Sequence, residues 1–229
     1  MSIADVVTLK EEVLKDQVHG WVRLRGIFEG KYESKPEYAF KDTYPSSEIK
    51  NLLDAINRKL QDKKGSKGVY LLLGGMGSGK SHVLLLVYHI FKHSAIAKKW
   101  IDSHDIKVSF PKNPEVLVIS MMDYEKTPEF LWEPIFDQLG KNELLKEVTQ
   151  FPGIRLLRKA LQDKGVVVLI IDELESWYKG AKDKENNLNF IQVLAELGSE
   201  DESNLLIFCS LYGEVKEILG RFRRVNPYM

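Results

Sequence analysis

Eight consecutive residues, from Gly74 to Ser81, have the types and spacing of a phosphate-binding loop. They fit the pattern G-x-x-x-x-G-K-[ST] at every fixed position and read Gly74, Gly75, Met76, Gly77, Ser78, Gly79, Lys80 and Ser81. Glycine lets the backbone approach a phosphate closely and adopt positive φ angles, so that successive N–H groups point at the phosphate oxygens. We expect Lys80 to reach the β- and γ-phosphates of ATP and the Ser81 hydroxyl to hold Mg²⁺.

The residues on both sides of this loop favour the same interpretation. Val69 to Leu73 form an apolar run that predicts a buried strand, and Val83 to Phe91 predict a helix that starts near Gly79. The positive end of that helix dipole would face the phosphates. A glycine-rich turn that binds nothing is the alternative, and the flanking elements count against it. We include His82, the next residue, among the predicted nucleotide contacts.

A second polar pair, Asp172-Glu173, follows six apolar residues at 166–171. That run predicts a central parallel strand buried on both faces, and such a strand ends at the sheet edge where doubly wound folds bind their ligands. We expect Asp172 to hold the Mg²⁺ shell and Glu173 to activate an attacking water. An acidic helix N-terminus without a catalytic role is the alternative. We expect Glu175 to face solvent on the following helix.

The predicted helix after the loop is apolar almost all round, so we expect it to lie buried between the sheet and an N-terminal extension. It carries His89 and His93, four residues apart, which have the spacing to share a metal ion. Ile90 stands where a zinc-protease motif would need Glu, and a packing role is therefore favoured.

The composition describes a globular chain of balanced charge. The 229 residues include 33 Lys and Arg against 33 Asp and Glu, so nucleic acid is a possible partner that the charge does not indicate. Cys209 is the single cysteine, which excludes an intrachain disulfide, and its apolar neighbours predict a buried thiol. No apolar run has membrane-spanning length and the N-terminus lacks a signal-peptide pattern. We therefore expect a cytoplasmic location and no membrane partner.

Strands and helices alternate along the chain, which predicts an α/β fold with a central parallel sheet between two helical layers. Beyond the elements named above, strands are predicted at 115–120 and 205–209. Further helices are predicted at about 5–30, 128–139, 152–162 and 187–197, with a turn-rich segment at 30–45. Ser46 or Ser47 can cap one more helix, whose apolar positions keep helical spacing up to Leu60.

These features together resemble the AAA+ class of P-loop ATPases. The resemblance rests on Gly79-Lys80-Ser81, on the apolar strand ending in Asp172-Glu173, and on a later strand followed by Ser210. It implies that Ser210 senses the γ-phosphate and that Tyr44 or Ile49 supplies an apolar slot for adenine; an ordinary strand-end serine is the alternative for Ser210. It also implies a helical extension with the adenine-side segment over 1–64 and a P-loop ATPase core over 65–229.

Three arginines near the end of the chain, Arg221, Arg223 and Arg224, follow Ser210 at about the interval where the AAA+ class places an arginine finger. A finger acts on the site of a neighbouring subunit, so the resemblance implies a homo-oligomer or a larger complex. A basic helix end or a solvated tail is the alternative. The small helical lid of the class is expected to be missing or to lie beyond Met229.

A narrower resemblance covers Tyr38 through Ile49, together with the loop up to His82 and the pair Tyr88-His89. These residues are similar to large prokaryotic ATPases associated with phage defence, which implies that the chain is the N-terminal ATPase portion of a longer protein. The expected function is Mg²⁺-dependent ATP hydrolysis that drives a conformational change. A small-molecule P-loop kinase and a nucleotide-gated scaffold with negligible turnover are the alternatives. A GTPase is disfavoured because no Asn-Lys-x-Asp motif is present.

Overall fold

The structure is a computed structural model that describes residues 22–61, 64–121, 124, 127–213 and 215–225, with side chains up to Phe222 in the last helix. It contains four strands, β1 (Val69–Leu73), β2 (Glu115–Ser120), β3 (Val167–Asp172) and β4 (Leu205–Leu211). The α-helices are α1 (Pro36–Lys41), α2 (Ser47–Leu60), α3 (Lys80–Lys92), α4 (Ser94–Ser103), α5 (Trp132–Gln138), α6 (Ile154–Leu161), α7 (Leu174–Gly180), α8 (Lys184–Ser199) and α9 (Lys216–Val225). Within the described ranges, every helix is too short or too polar to cross a lipid bilayer.

The four strands form one parallel sheet in the order β1-β4-β3-β2. The last strand in sequence therefore lies between the strand that precedes the phosphate-binding loop and the strand that ends in Asp172. In the strand register, Ser120 stands opposite Asp172, and Leu72 stands opposite Ser210. The carboxyl ends of all four strands consequently meet at one edge of the sheet.

Alternate residues of the strands feed two separate hydrophobic clusters, one on each face of the sheet. Tyr70, Val168 and Phe208 point into a cluster built with residues of the N-terminal half, Leu24 to Phe110. Leu169 and Ile207 point into a cluster built with α5 to α9. Burial on both faces explains why β3 and β4 are apolar at nearly every position. The fold is thus the three-layer α/β/α arrangement with a central parallel sheet that the sequence predicts.

Helix α3 lies where its composition predicts, between the sheet and the N-terminal segment. Four consecutive residues, 84–87, are all buried, so α3 has no broad solvent face over its middle turns. One side of α3 contacts β2, β3 and β4, and the other contacts α1, α4 and the short 3-10 turn Leu24–Ile27. The helix that begins with Lys80 is therefore packed on both sides.

The N-terminal segment differs from its prediction. The helix expected over about 5–30 lies mostly outside the described residues, and 22–30 hold only the 3-10 turn Leu24–Ile27, followed by Gly30 at φ 66°. The segment expected to be turn-rich contains α1, whose first residue is Pro36, an N1 position that suits proline. Helix α2 begins as predicted, with the Ser46 hydroxyl accepting a hydrogen bond from the Ile49 N–H.

Two lysines tie the N-terminal half to the C-terminal end of α8. The buried Lys59 of α2 donates to the carbonyls of Glu200 and Asp201 at 2.6 and 2.8 Å, and Lys67 donates to the Ser199 carbonyl at 2.9 Å. The last carbonyls of a helix have no intrahelical partner and carry the negative end of the dipole. The two ammonium groups donate hydrogen bonds to carbonyls at this helix end and place positive charge beside its negative dipole. They thereby link the layers on opposite faces of the sheet.

Candidate functional site

The carboxyl edge of the sheet opens into a cavity of about 360 Å³. Its lining comes from four separate parts of the sequence and consists of Val22, Met76, Gly77, Ser78, Gly79, Lys80, Ser81, His82, Asp172, Glu173, Ser210 and Tyr212. We call residues 74–82 the loop side of this cavity and Ser120, Asp172, Glu173 and Ser210 its acid side. The structure thus brings Lys80 and Asp172 together, although 92 positions separate them in sequence.

The loop side takes its shape from its glycines. Gly77 and Gly79 adopt φ angles of 75° and 83°, in the left-handed region that other residues rarely occupy. A Cβ atom at Gly74 would lie 2.6 Å from the Ser78 hydroxyl oxygen, so a larger residue here would displace the Ser78 side chain. Gly79 precedes α3 and has no side chain to cap it, and the first three residues of α3, 80–82, line the cavity. This arrangement has the features of an anion-binding helix N-terminus.

Lys80 is held by neutral groups. Its ammonium donates to the carbonyls of Gly74 and Gly75, both at 2.7 Å, and to the Ser78 hydroxyl at 3.3 Å. It also lies over the ring of Tyr212, 4.5 Å from the ring centroid. These partners fix the position of the ammonium without neutralising its charge, which therefore remains available to an anion in the cavity.

The acid side is a hydrogen-bonded cluster across three strand ends. The Ser210 hydroxyl donates to Asp172 Oδ1, and the Glu173 N–H donates to the same oxygen at 3.1 Å and contacts Ser210 Oγ at 3.3 Å. The Ser120 hydroxyl donates to Glu173 Oε2 at 3.4 Å. Glu173 has a φ of 59°, unusual for a residue other than glycine. Backbone strain of this kind is often found at functional sites, where surrounding contacts maintain it.

The residues predicted to hold Mg²⁺ fit a site completed by a ligand. Ser81 and Asp172 line the same cavity, and both described donors to Asp172 contact Oδ1. Within the ranges that the structure describes, no three His, Cys, Asp or Glu side chains group together as a metal site. Mg²⁺ commonly binds through one or two protein oxygens together with substrate phosphates and water. The donor set is therefore suited to a metal–nucleotide pair rather than to a metal ion alone.

Glu175 does not face solvent as expected. It is 1 % exposed, and its Oε2 atom accepts the Tyr212 backbone N–H at 2.8 Å. Its Oε1 atom lies 3.4 Å from Lys179 Nζ without a hydrogen bond to it. The prediction fails because α7 begins immediately after the left-handed Glu173, which sets the rotation of the helix and turns Glu175 inward.

Tyr212 was not identified from the sequence. It follows β4 by one residue, lines the cavity and covers the Lys80 ammonium. Its position two residues after Ser210 is the only sequence signal that points to it, and a tyrosine at a strand end has no established link to phosphate chemistry. The contact becomes visible only when β4 is seen to lie beside β1.

Among the predicted adenine contacts and arginines, the three whose side chains the structure describes, Tyr44, Ile49 and Arg221, lie outside the cavity lining. Tyr44 is 82 % exposed and contacts the His104 ring edge to face, whereas Ile49 is buried in the N-terminal cluster. Arg221 donates to the Gln192 side chain of α8 at 2.6 Å. Arg223 and Arg224 belong to α9, and their side chains lie outside what the structure describes. The adenine slot and the arginine finger stay predictions.

His82 connects the loop side to the segment before α2. Its Nε2 atom lies 2.6 Å from the Thr43 hydroxyl, which donates to the Ala39 carbonyl at 2.6 Å. Because that hydroxyl proton is already used, the network assigns the imidazole proton to Nε2. Burial lowers the pKa of His82, and the nearby Asp42 partly opposes this shift. A neutral His82 therefore bridges the predicted base-side segment and the start of α3.

His89 and His93 form a second neutral contact on the same helix. Their Nδ1 atoms are 3.0 Å apart, and His89 Nε2 lies 2.9 Å from the Glu33 carbonyl. His89 is fully buried, and burial lowers its pKa to about 4. The pair holds α3 against the N-terminal segment.

Three comparisons with known proteins add little beyond this geometry. The comparison with curated proteins found no match. One similar solved structure is domain III of the replication initiation protein DnaA from Thermotoga maritima, with 14 % identity and a TM-score of 0.40, covering 82 % of this chain and 65 % of that one. This chain thus spans slightly less than two thirds of that structure. A family model described as the DUF499 N-terminal domain matches residues 10–114, so the chain is similar to this family over its N-terminal half.

Proposed function

We propose that the chain binds Mg·ATP in the cavity at the carboxyl edge of the sheet and hydrolyses it. The observation that carries the proposal is the meeting of the loop side and the acid side around one space. An ammonium, backbone N–H groups, a hydroxyl and two carboxylates then surround it, and this is the set that phosphoryl transfer to water requires.

The loop side would bind the triphosphate. Gly77, Gly79 and the first residues of α3 line the cavity, where their N–H groups would bind phosphate oxygens, and Lys80 is positioned with its charge unneutralised. Charge-assisted hydrogen bonds from such groups are roughly twice as strong as neutral ones. ATP is favoured over GTP because the sequence lacks the Asn-Lys-x-Asp motif.

The acid side would position the metal ion and the water. Ser81 and Asp172 would hold Mg²⁺, which would neutralise charge on the β- and γ-phosphates. Glu173 would orient a water molecule and accept its proton as the water oxygen bonds to the γ-phosphorus and the bond to the ADP oxygen breaks. Ser210 would hold Asp172 and the Glu173 backbone in place through the hydrogen bonds described above.

The wider role is also a proposal. Hydrolysis would drive a conformational change in a larger assembly, with one of the three arginines acting on a neighbouring copy. The setting in phage defence and the cytoplasmic location rest on sequence alone and stay predictions.

Phosphate release from Mg·ATP, measured without any added acceptor, tests this function. Wild-type protein should release phosphate, and Glu173→Gln should lose about 10²–10⁴ in kcat while ATP affinity measured by calorimetry stays near the wild-type value. Glu185→Gln, an exposed change in the first turn of α8, is the matched control and should behave as wild type.

Three outcomes would contradict the proposal in different ways. Binding of ATP without phosphate release would favour the scaffold, and transfer that depends on an added acceptor would favour the kinase. Turnover in Glu173→Gln equal to wild type would remove Glu173 from the role of base.

A further inference from the structure

We propose that Tyr212 is a positioning residue that holds the Lys80 ammonium ready for the β- and γ-phosphates. This inference rests on the proposed function, since it concerns the phosphate ligand of the same cavity. It assigns a purpose to the contact between a strand-end tyrosine and the loop lysine, in which Lys80 Nζ lies 4.5 Å from the centroid of the Tyr212 ring.

The contacts of Lys80 define what the ring does. Two carbonyls and one hydroxyl of the loop itself accept from the ammonium, and the ring covers another side. A lysine side chain is a flexible stem whose ordering costs conformational entropy. The face of an aromatic ring attracts a cation. Tyr212 therefore restricts Lys80 to the cavity side before a phosphate arrives.

The backbone that carries the Tyr212 ring is held by hydrogen bonds. The Tyr212 backbone N–H donates to the buried Glu175 carboxylate at 2.8 Å, and the Leu211 carbonyl accepts the Gly74 N–H at 3.3 Å. Gly213, at φ 84°, turns the chain directly after the tyrosine. These contacts hold the backbone of Tyr212 against both α7 and the first residue of the phosphate-binding loop.

The position of this residue links the two sides of the cavity. Tyr212 belongs to the same strand end as Ser210, which contacts Asp172 on the acid side. Its ring contacts Lys80 on the loop side. A single two-residue step along the chain thus couples the carboxylate that would hold the metal ion to the ammonium that would hold the phosphate.

Nucleotides of different phosphate number provide the test, using the full chain. Lys80 would reach the β- and γ-phosphates but not the α-phosphate. Tyr212→Leu should weaken ATP and ADP binding about three- to tenfold and leave AMP binding within about twofold of wild type. Tyr212→Phe keeps the ring face and should bind ATP within about twofold of wild type.

A control and a graded series separate this role from a structural one. Tyr38→Leu removes a tyrosine ring that also lies near a lysine, Lys35 at 5.6 Å, but does not line the cavity, and it should leave all three affinities unchanged. Phenylalanine analogues with one, two and three ring fluorines at position 212 keep the shape while weakening the attraction of the ring for a cation. ATP affinity should fall stepwise with fluorine number, and this series stays informative if Tyr212→Leu does not fold.

Several results would overturn the inference. These are Tyr212→Leu binding ATP as tightly as wild type or more tightly, an equal loss for AMP and ATP, and an affinity that is independent of fluorination. Wild-type protein that does not bind ATP would instead end the proposed function itself. Wild-type binding together with any of the first results ends only the role of Tyr212.

Discussion

The loop side and the acid side of the cavity hold their polar groups with different parts of the chain. On the loop side, the ammonium of Lys80 is bound by carbonyls and a hydroxyl only two to six residues away. On the acid side, Ser120, Asp172, Glu173 and Ser210 contact one another across three strands. The hydrogen bonds of the Lys80 ammonium are therefore local in sequence, and only the Tyr212 ring reaches that ammonium from a distant strand end, whereas every contact across the acid side except that of Glu173 with Asp172 requires the sheet to have formed.

This difference indicates how each side should respond to substitution. The hydrogen-bond partners of Lys80 lie in the loop itself, so replacing this lysine should remove phosphate binding without affecting the fold. The acid side depends on the relative position of strands, so losing one member should disturb the others. The predictions below test this contrast, beginning with the largest expected effect.

Replacement of Lys80 should affect binding most strongly. Lys80→Met should lower ATP affinity at least about 100-fold, because charge-assisted hydrogen bonds to the phosphates are lost. The unfolding free energy should change little, since the partners of Lys80 lie at the edge of the cavity rather than in the core. Calorimetric titration with ATP and denaturant unfolding measure the two quantities.

Lys92→Met is the matched control for this replacement, because Lys92 is the exposed last residue of the same helix. It should bind ATP as wild type does. A Lys80→Met protein that binds ATP normally would show that the loop side does not contact the triphosphate.

The same contrast between local and long-range contacts explains which parts of the fold and site could be predicted from the sequence. The loop motif lies within eight residues, and the strands Val69–Leu73 and Glu115–Ser120 were predicted at their observed bounds, because their apolar patterns are local. Ser210 was identified through the family resemblance, which implies a polar residue after a later strand. The contact between Glu175 and Tyr212 spans 37 residues and depends on how α7 is rotated after Glu173, so no local sequence pattern predicts it.

Short elements were missed for a related reason. Helices α1 and α4 have 6 and 10 residues and lack the long periodic apolar pattern that identifies α2 and α3. Their stability comes from packing on α3, which the sequence does not express locally. Tertiary packing therefore stabilises these two helices, whose own sequences do not predict them.

Removal of the Ser210 hydroxyl should affect turnover more than binding. Ser210→Ala deletes a donor to Asp172 and an acceptor near the Glu173 N–H, so the predicted base loses part of its support. We expect kcat to fall about 10- to 100-fold and ATP affinity to change less than about threefold. Phosphate release and calorimetry separate the two effects.

Ser199→Ala is the matched control, since Ser199 is a buried serine whose hydroxyl has no hydrogen-bond partner in the described structure and does not line the cavity. It should keep wild-type turnover. If Ser210→Ala also keeps wild-type turnover, the hydrogen-bonded cluster of the acid side is not needed for activity.

Acidification should lower the free energy of unfolding through His89, which holds α3 on the N-terminal segment. Its folded pKa of about 4 lies below the ordinary value of 6.5, so the unfolded chain takes up the proton first. The contribution of His89 is complete above about pH 6.5 and is lost as the pH falls from there toward 4, costing about 1 kcal/mol between pH 7.5 and 5.5. Burial also lowers the pKa values of His82 and His93, which adds to the loss, while Glu37 opposes the shifts of His89 and His93.

Denaturant unfolding at both pH values should show a smaller loss in His89→Gln than in wild type, because glutamine keeps a donor for the Glu33 carbonyl but cannot titrate. Equal losses in the two proteins would mean that the neutral histidine contact does not carry the pH dependence.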